Sequence, residues 1–392
     1  MKFLLIYVPN LRFNGYTENW QKYRTIELGQ MQRGKSKHRP RDDEKLYGGA
    51  YPFIQTGDIK KANLYIKEYE RTYSNYGLSQ SKLWSKGTLC ITIAANIAET
   101  AILGLNACFP DSVIGWISNE KITNNIFIKY YFDFYKTQLK RLSVGGAQEN
   151  LNLDKLENVY FHIPTLPEQN DITNLLTKID ELIETQIKII EEYVILKNSL
   201  IHRFFTMDNP KVKLSTILTE INIKNKNKQI DTVLSVSNKL GFIKQSEQFE
   251  DREVASDDTS NYKIVNKGDY AYNPARINVG SIARLINYDK GIISPMYSCF
   301  KINEKKITYT YFDMFLSSFS FKRQLNKKLE GSVRQCLTFE GMLSMDIELP
   351  CIETQKSISN KIDMLNYKIK LESDYREALI KQKQFLLNNM FI

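Results

Sequence analysis

Cysteine and histidine are scarce in this sequence. Its 392 residues include five cysteines, no two of them in a Cys-x-x-Cys pair, and three histidines that lie far apart. We therefore expect neither a disulfide scaffold nor a zinc site, and the composition is typical of a reducing compartment.

Long apolar runs are also missing. No stretch reaches the roughly 18 residues of a membrane span, and residues 3–8 (FLLIYV) are too short for a signal-peptide core. We expect a soluble, cytoplasmic protein.

Patterns of catalytic residues are missing as well. No nucleophile–base pair, carboxylate pair or metal cluster stands out, and GGAQEN at 145–150 does not have the G-x-G-x-x-G order of a dinucleotide site. Asn273-Pro274 begins like the N-P-P-aromatic signature of adenine methyltransferases. Ala275 and Arg276, however, replace the proline and the aromatic residue that would stack on a flipped base. We predict that the chain is not itself an enzyme.

One string does match a nucleotide-binding pattern. GQMQRGKS at 29–36 fits the P-loop pattern G-x-x-x-x-G-K-[ST]. A P-loop follows a buried strand, and a helix begins at its Lys-Ser pair so that the amides face the phosphates. Residues 23–28 instead predict a short, half-exposed strand, and Pro40 disfavours a helix after Lys35. We therefore assign the segment a role other than nucleotide binding.

Positive charge is in excess. Lys plus Arg is 54 against 44 for Asp plus Glu, which gives a net charge of +10, and the pI is about 9.0. Nucleic acid is the commonest partner of such a field, although a soluble lysine-rich protein would have the same composition. The length suggests two or three domains, each able to bury a core.

The chain repeats itself with a period near 180 residues. The segments that begin at Gly145 and Gly331 correspond at a constant offset of 186. Further upstream the offset is slightly smaller, and residues 131–133 (YFD) recur at 311–313. The pairs at the offset of 186 include Leu151 and Leu337, Pro164 and Pro350, Gln169 and Gln355, Ile172 and Ile358, Ile183 and Ile369, and Phe205 and Phe391.

Each repeat ends in a long helical pattern. Apolar residues follow each other at steps of four and three from residue 172 to residue 204, and again, more weakly, from residue 358 to residue 390. A helix over residues 168–205 would be roughly 55 Å long. Each is too long for a small domain to cover, so we expect the two helices to pack on each other.

The predicted fold is therefore α+β. It has two β-rich domains, 1–164 and 208–349, and two long helices, 165–207 and 350–392, that form an antiparallel coiled-coil rod with a pseudo-twofold internal repeat. Two DNA-reading domains on such a spacer would contact half-sites at a fixed separation.

Several motifs resemble the specificity (S) subunit of Type I restriction-modification systems, in an order that spans nearly the whole chain. They are VPNLRFNGYTENWQKYRTIELG (8–29), YPFIQTGDI (51–59), GGAQENL (145–151), IPTLPEQNDI (163–172), YNPARINVGSIA (272–283), ISPMYSCF (293–300) and LPCIETQKSI (349–358). The chain departs from the pattern at YTENW (16–20), in the basic insertion before Tyr51, and in the second helix start, where PCIETQ lacks the second proline of PTLPEQ.

The resemblance implies two target-recognition domains that read the halves of a bipartite, asymmetric sequence in double-stranded DNA. It also implies that the long helices recruit two modification subunits, which methylate adenine N6. Restriction subunits would join them. S-adenosylmethionine, ATP and magnesium would then belong to these partners. The seam residues that we assign to the partner-binding helices are Ile172, Ile179, Ile183, Ile190, Ile358, Leu365 and Ile369.

Basic residues occupy every second position after residue 32, and in an extended loop their side chains would share one face and follow phosphates. A solvated loop without a role is the alternative. The five residues are Arg33, Lys35, Lys37, Arg39 and Arg41.

In the second domain a glycine turn would present Arg276, a side chain suited to guanine, unless it only forms a surface ion pair. The other candidates in this turn are Asn273, Asn278 and Ser281. The loops before the helices add Gln148, Asn150, Arg334 and Gln335, and weaker candidates are Gln55, Thr56, Ser79, Ser81 and Asn96.

Other classes of function stay open at this point. The specificity subunit of a Type IIB system has the same architecture, and a helical scaffold could bind DNA without regard to sequence.

Overall fold

The structure is a computed structural model that describes residues 7–143, 151–206, 209–238, 240–245, 258–331 and 335–392. The chain divides into two compact units, one formed by Met1–Ile189 with Glu372–Ile392 and the other by Ile190–Leu371. Both unit boundaries fall within the two long helices. The first unit therefore joins the start of the chain to its last twenty-one residues.

Among the described residues, fifteen strands and α-helices lead up to and include the first long helix. In chain order they are β1 (Gln21–Arg24), α1 (Thr25–Leu28), β2 (Gly29–Arg33), β3 (Tyr47–Phe53), α2 (Thr56–Lys61), β4 (Tyr65–Ile66), β5 (Arg71–Tyr73), α3 (Asn75–Ser79), β6 (Leu89–Thr92), β7 (Thr100–Leu103), β8 (Val113–Ser118), α4 (Asn125–Ser143), α5 (Leu153–Glu157), β9 (Tyr160–Ile163) and α6 (Leu166–Phe204).

The remaining strands and α-helices of the described residues repeat this plan with changes. They are β10 (Lys211–Lys213), β11 (Leu218–Ile221), β12 (Val233–Ser237), β13 (Gly241–Lys244), β14 (Lys263–Asn266), β15 (Tyr270–Tyr272), β16 (Ile282–Arg284), β17 (Lys290–Ile293), β18 (Ser298–Ile302), α7 (Tyr309–Ser317), α8 (Phe319–Lys328), α9 (Phe339–Leu343), β19 (Asp346–Glu348) and α10 (Ile352–Met390).

The first unit is built on a five-stranded sheet in the order β2–β8–β6–β7–β4. Strands β6 and β7 are buried along their whole length, as their continuous apolar runs require. Helix α4 packs against this sheet and contributes Phe127, Tyr131 and Phe132 to the core. Two-stranded pairs, β1 with β9 and β3 with β5, complete the unit.

The half-exposed strand predicted at residues 23–28 is only partly present. Strand β1 ends at Arg24, and a single helical turn, α1, follows. The Glu27 carboxylate accepts a hydrogen bond of 2.6 Å from the Arg24 amide, so the side chain three residues ahead stabilises the start of the helix. The alternation of apolar and polar residues did not reveal this cap.

The second unit repeats the topology of the first. Its four-stranded sheet has the order β11–β18–β15–β16, which corresponds strand by strand to β2–β8–β6–β7. The pair β10–β19 corresponds to β1–β9, and α9 lies before its strand as α5 does. A second sheet, β13–β12–β17–β14, has no counterpart of four strands among the described residues of the first unit. The internal repeat and the α+β class predicted from the sequence are confirmed.

Two buried glutamines show the repeat at the level of single hydrogen bonds. Gln169 Nε2 donates to the carbonyls of Pro164 and Ile122 at 2.9 and 2.8 Å. Gln355 Nε2 donates to the carbonyls of Pro350 and Lys306, both at 2.9 Å. Neither residue is exposed to solvent. Each amide thus ties the start of a long helix to the loop before the helical segment of its own unit.

Each long helix is 39 residues in length. Within the first unit Lys383 of α10 pairs with Asp180 of α6, and the Gln186 amide donates to the Glu372 carboxylate. Because the residue number rises on one helix as it falls on the other, the two segments run antiparallel. Within the second unit Lys197 Nζ lies 3.2 Å from Asn366 Oδ1, so a still higher residue number on α6 is matched by a still lower one on α10. The antiparallel pairing predicted from the sequence is confirmed in each unit.

A charged pair is buried in the helix contact of the first unit. Lys383 Nζ lies 2.7 Å from Asp180 Oδ1, and the two side chains are 14% and 2% exposed. Tyr130 donates to the other carboxylate oxygen at 2.7 Å. Among the described residues no well-aligned hydrogen bond reaches Oδ1, so Lys383 is what compensates its charge. Burial lowers the pKa of Lys383, and Lys129 nearby lowers it further, whereas Asp180 opposes the shift.

Equivalent aromatic residues close the two cores. In the first unit Phe391, just beyond α10, packs against Phe127 and Tyr131 with ring centroids 5.3 and 5.4 Å away. In the second unit Phe205, just beyond α6, packs 5.1 Å from the ring of Tyr311. The sequence repeat had paired these two phenylalanines, and each packs against the aromatic core of its own unit.

Candidate nucleic-acid interface

The basic segment after β2 is extended and fastened by its backbone. The amide of Lys35 donates to the Phe109 carbonyl at 3.2 Å, and the amide of Lys37 donates to the Gln80 carbonyl at 3.1 Å. The side chains of Arg33, Lys35 and Lys37 are exposed, whereas Gly34 between them is buried. No helix begins at Lys35, where a P-loop would require one. The geometry supports an extended row of cations instead.

The last two basic residues of the row differ from the first three. Arg41 places Nη2 2.9 Å from both carboxylate oxygens of Asp111, and Arg39 Nη2 lies 3.8 Å from the same carboxylate. The five cations therefore do not form the uniform track that the sequence spacing predicted. Exposed pairs of this kind contribute roughly 0–1 kcal/mol. A phosphate could replace Asp111 at little cost.

A cleft of about 310 Å³ lies beside this segment. The Arg71 guanidinium lies 5.0 Å from the centre of the Tyr47 ring, and the Tyr47 hydroxyl donates to the Arg41 carbonyl at 2.6 Å. Burial raises the pKa of Tyr73, which also lines the cleft, to about 12, so this hydroxyl stays protonated near neutral pH. Gln55 also lines the cleft. Arg71, which the sequence analysis missed, is thus oriented by an aromatic ring at a concave surface that Arg41 and Asp42 also line.

The weaker candidates of the first unit fall into two groups. Thr56 lines the same cleft as Gln55, and Ser79 is exposed, with its hydroxyl donating to the Tyr76 carbonyl at 2.7 Å. Ser81 is only 9% exposed, and its hydroxyl donates to the Lys35 carbonyl at 2.7 Å. The expectation that Ser81 contacts DNA is therefore corrected, because this side chain fastens the basic segment from the inside.

Asn96 lies in the turn between β6 and β7, which carries unusual backbone geometry. Ala95 and Ala98 both have φ of 61°, a left-handed conformation that side chains other than glycine rarely adopt. The Glu99 amide donates to the Thr92 hydroxyl at 2.9 Å and helps to hold the turn. Backbone strain of this kind is typical of functional sites. Asn96 lies within this turn and is partly exposed.

The corresponding turn in the second unit, between β15 and β16, contains Arg276 and Asn278. Both side chains are exposed. Asn273 is 7% exposed and its Oδ1 accepts from the Ala275 amide at 3.0 Å, while Ser281 is 2% exposed and donates to the Val236 carbonyl at 3.3 Å. Asn273 and Ser281 are therefore corrected from DNA contacts to supports of the turn.

The loops before the long helices are largely outside the described residues. Gln148, Asn150 and Arg334 lie there, and Gln335, which is described, is exposed. Their assignment to DNA binding stays a prediction.

The two strand-end turns and the basic segment share one location in the repeat. Arg33 is opposite Ile114 where β2 ends and β8 begins, and Asn96 follows the adjacent end of β6. In the second unit the equivalent ends are those of β11 and β15, and Lys224 follows β11 as the basic segment follows β2. The basic segment and Asn96 of the first unit, and Lys224 and the Arg276 turn of the second, thus lie at the same end of equivalent sheets, which the sequence analysis had not recognised.

The apolar seam residues of the two long helices are buried or half-buried within the chain's own units. Ile172, Ile179 and Ile183 belong to the core of the first unit, and Ile358 belongs to the core of the second. The other three assigned residues, Ile190, Leu365 and Ile369, are half-buried. These seam residues therefore pack within each unit, and the recruitment of partner subunits by the long helices stays a prediction.

Other apolar side chains of the long helices are exposed. They are Leu182, Ile187, Tyr375, Ile380 and Phe385 in the first unit, and Ile195, Leu196, Met364, Tyr367 and Leu371 in the second.

Two other kinds of feature were not found in the described part of the chain. Among the residues that the structure describes, no three His, Cys, Asp or Glu side chains are grouped as a metal site would need. Nor does any helix within the described ranges have both the length and the apolar character to cross a membrane.

The fold is similar to that of solved specificity subunits of Type I restriction-modification systems. It superposes on the S subunit from M. genitalium with a TM-score of 0.59 over 98% of this chain and 99% of that one, at 14% identity. A chain from a structure of the assembly and conformational transition of the Type I R-M system also gives a TM-score of 0.59, over 94% and 96%, at 13% identity. At such identities the likeness concerns the fold.

Sequence comparison agrees. Residues 17–192 match the Type I restriction modification DNA specificity domain. Two relatives come from Methanocaldococcus jannaschii. The Type I restriction enzyme MjaVIII specificity subunit is 21% identical over 95% of this chain and 92% of its own length. The putative type I restriction enzyme MjaX specificity subunit is 26% identical over 48% of this chain, an alignment that spans only 43% of that relative. The resemblance predicted from the motifs is confirmed.

Proposed function

We propose that this chain is the DNA-specificity subunit of a Type I restriction-modification complex and reads a bipartite, asymmetric target. The observation that carries the proposal is the repeated sheet, in which β2–β8–β6–β7 recurs as β11–β18–β15–β16. The equivalent ends of these sheets carry different side chains, a row of cations in the first unit and the Arg276 turn in the second. Two similar folds with dissimilar loops suit two dissimilar half-sites.

The exposed side chains supply both kinds of contact that such reading needs. Lys35 and Lys37 suit phosphates, which position a protein on DNA without reading the sequence. Arg71 and Arg276 carry planar guanidinium groups that can pair with O6 and N7 of guanine in the major groove. Asn96 and Asn278, at equivalent turns, suit the N6 and N7 edge of adenine.

The chain would work through partners rather than by catalysis of its own. We propose that the long helices recruit two modification subunits, which transfer the methyl group of S-adenosylmethionine to adenine N6 in the cytoplasm. Restriction subunits that use ATP and magnesium would join them. The exposed apolar residues of the helices, Tyr367 and Phe385 among them, are the contacts we assign to this recruitment. Tyr367→Ala with Phe385→Ala should reduce co-purification of the modification subunit while DNA binding is retained.

Base-resolution mapping of adenine methylation tests the proposal. Cells would carry the modification gene of the same system with or without this chain. A split motif with a fixed gap that appears only with the chain supports a specificity subunit and identifies both half-sites. Methylation that does not depend on the chain, despite a stable complex with the methylase, would favour a helical scaffold.

A domain exchange then tests modular reading. Replacement of residues 213–349 by the corresponding segment of another specificity subunit should change one half of the motif and leave the other half and the gap unchanged. A change in both halves would contradict the assignment of one half-site to each unit.

A further inference from the structure

The turn between β15 and β16 holds an exposed aliphatic side chain beside its polar ones. Val279 is 55% exposed and directly follows Asn278. Ile277, which is 2% exposed, anchors the turn from within, and Gly280 supplies the φ of 95° that closes it. A β-branched side chain has few rotamers, and this one stands on a backbone held from both sides by Asn273 and Ser281. A contact with Val279 would therefore require little ordering.

Two more apolar side chains lie at the same end of this sheet. Met296 is 60% exposed and precedes β18, whose Ser298 is paired with Tyr272 at the end of β15. Leu240, 71% exposed, lies at the hairpin between β12 and β13. This hairpin is close to the turn, because a Cβ atom added at Gly280 would lie 3.9 Å from the Cβ of Asn238.

The charged surroundings of these apolar groups favour DNA as the occupant. Lys224 and Lys226 are exposed after β11, and Arg276 is exposed on the same turn as Val279. Cations around an apolar centre suit a polyanion that has apolar features in its groove. In the major groove of DNA that feature is the 5-methyl group of thymine. The equivalent end of the first unit presents Arg33, Lys35 and Lys37 instead.

We infer that Val279, together with Met296, contacts thymine 5-methyl groups in the half-site that the second unit reads. The inference rests on the proposed function, because it requires that this end of the sheet faces the major groove. It adds that the half-site contains at least one thymine whose methyl group, rather than its hydrogen-bonding edge, is recognised.

The test uses the full chain and duplexes that contain the target found by methylation mapping. Each thymine of the second half-site is replaced in turn by uracil, which removes only the methyl group. At one position or more, uracil should weaken binding about fourfold, the effect of one buried methyl group. In Val279→Ala or Met296→Ala, the ratio of the affinity for the thymine duplex to the affinity for the uracil duplex should fall towards one.

Phe319→Ala is the control. Phe319 is a similarly exposed apolar residue, 62% exposed, but it lies at the start of α8 beside the first long helix, where its ring centroid is 6.0 Å from that of His202. This variant should keep the fourfold thymine preference. Folding of each variant is checked by its binding to the uracil duplex, which should stay close to that of the wild type.

Several outcomes would overturn the inference. They are a second half-site without thymine, uracil substitutions that are all neutral, or a thymine preference that persists in both variants. If Val279→Ala instead weakens association with another protein and leaves the thymine preference intact, the patch is a protein-docking surface. Failure of the proposed function would look different, since no duplex would then be bound in a sequence-specific way.

Discussion

Removal of two exposed cations should change how DNA binding depends on salt. In Lys35→Gln with Lys37→Gln, the backbone hydrogen bonds that fasten the segment are untouched, and only two exposed charges are lost. Each phosphate contact contributes about −0.9 to the slope of log affinity against log salt concentration, so the slope should become less steep by about 1.8. Between about 50 and about 200 mM salt, the wild type should lose about 12-fold more affinity than the variant.

The control is Lys86→Gln with Lys121→Gln. Both lysines are exposed, and they lie before β6 and after β8, at the end of the sheet away from Arg33. Fluorescence anisotropy titrations of the full chain at several salt concentrations would give both slopes. At about 0.1 M salt the test variant should bind up to about 60-fold more weakly than the wild type. Equal slopes for the test and control variants would refute the assignment of this segment to phosphates.

Three further substitutions probe features of the two units. Asp111→Asn removes the carboxylate that two arginines share and should steepen the salt slope by about 0.9 for each arginine that then reaches a phosphate; an unchanged slope would mean that neither does. Lys383→Met should lower the free energy of unfolding by about 3–5 kcal/mol, and addition of Asp180→Asn should recover most of it; equal losses in chemical denaturation of the single and double variants would contradict a buried charge pair. Gln169→Ala and Gln355→Ala should each cost about 1–3 kcal/mol, and hydrogen exchange should show the loss only in the unit that carries the change.

Features with a sequence-local pattern were predictable. The two long helices, the repeat of Gln169 and Gln355, and the alternation of exposed basic residues from Arg33 to Lys37 follow from spacing along one chain segment. Asp111 was not predictable in the same way, because it pairs with Arg41 from 70 positions away. Arg71 was missed for a similar reason: only the pairing of β3 with β5 brings it over the Tyr47 ring.

Burial explains the remaining differences. Ser81, Asn273 and Ser281 are short polar residues at turns, which by composition suit either DNA contacts or internal hydrogen bonds. Tertiary packing turns them inward, and their hydrogen bonds hold the segments that present their exposed neighbours. The periodic apolar seam of the long helices was predicted from the sequence, but Ile172 and Ile358 are buried in the cores of their own units.

The first unit combines the beginning and the end of the chain, and this affects the order in which the two units can fold during synthesis. Residues up to Ile189 are synthesised first, yet their core also takes in Leu379, Leu387 and Phe391. The second unit, Ile190–Leu371, contains all its residues before that segment has been made. The half that is translated first is therefore completed last. Until the final helix arrives, its aromatic core around Phe127 is open to chaperones or to a second nascent chain.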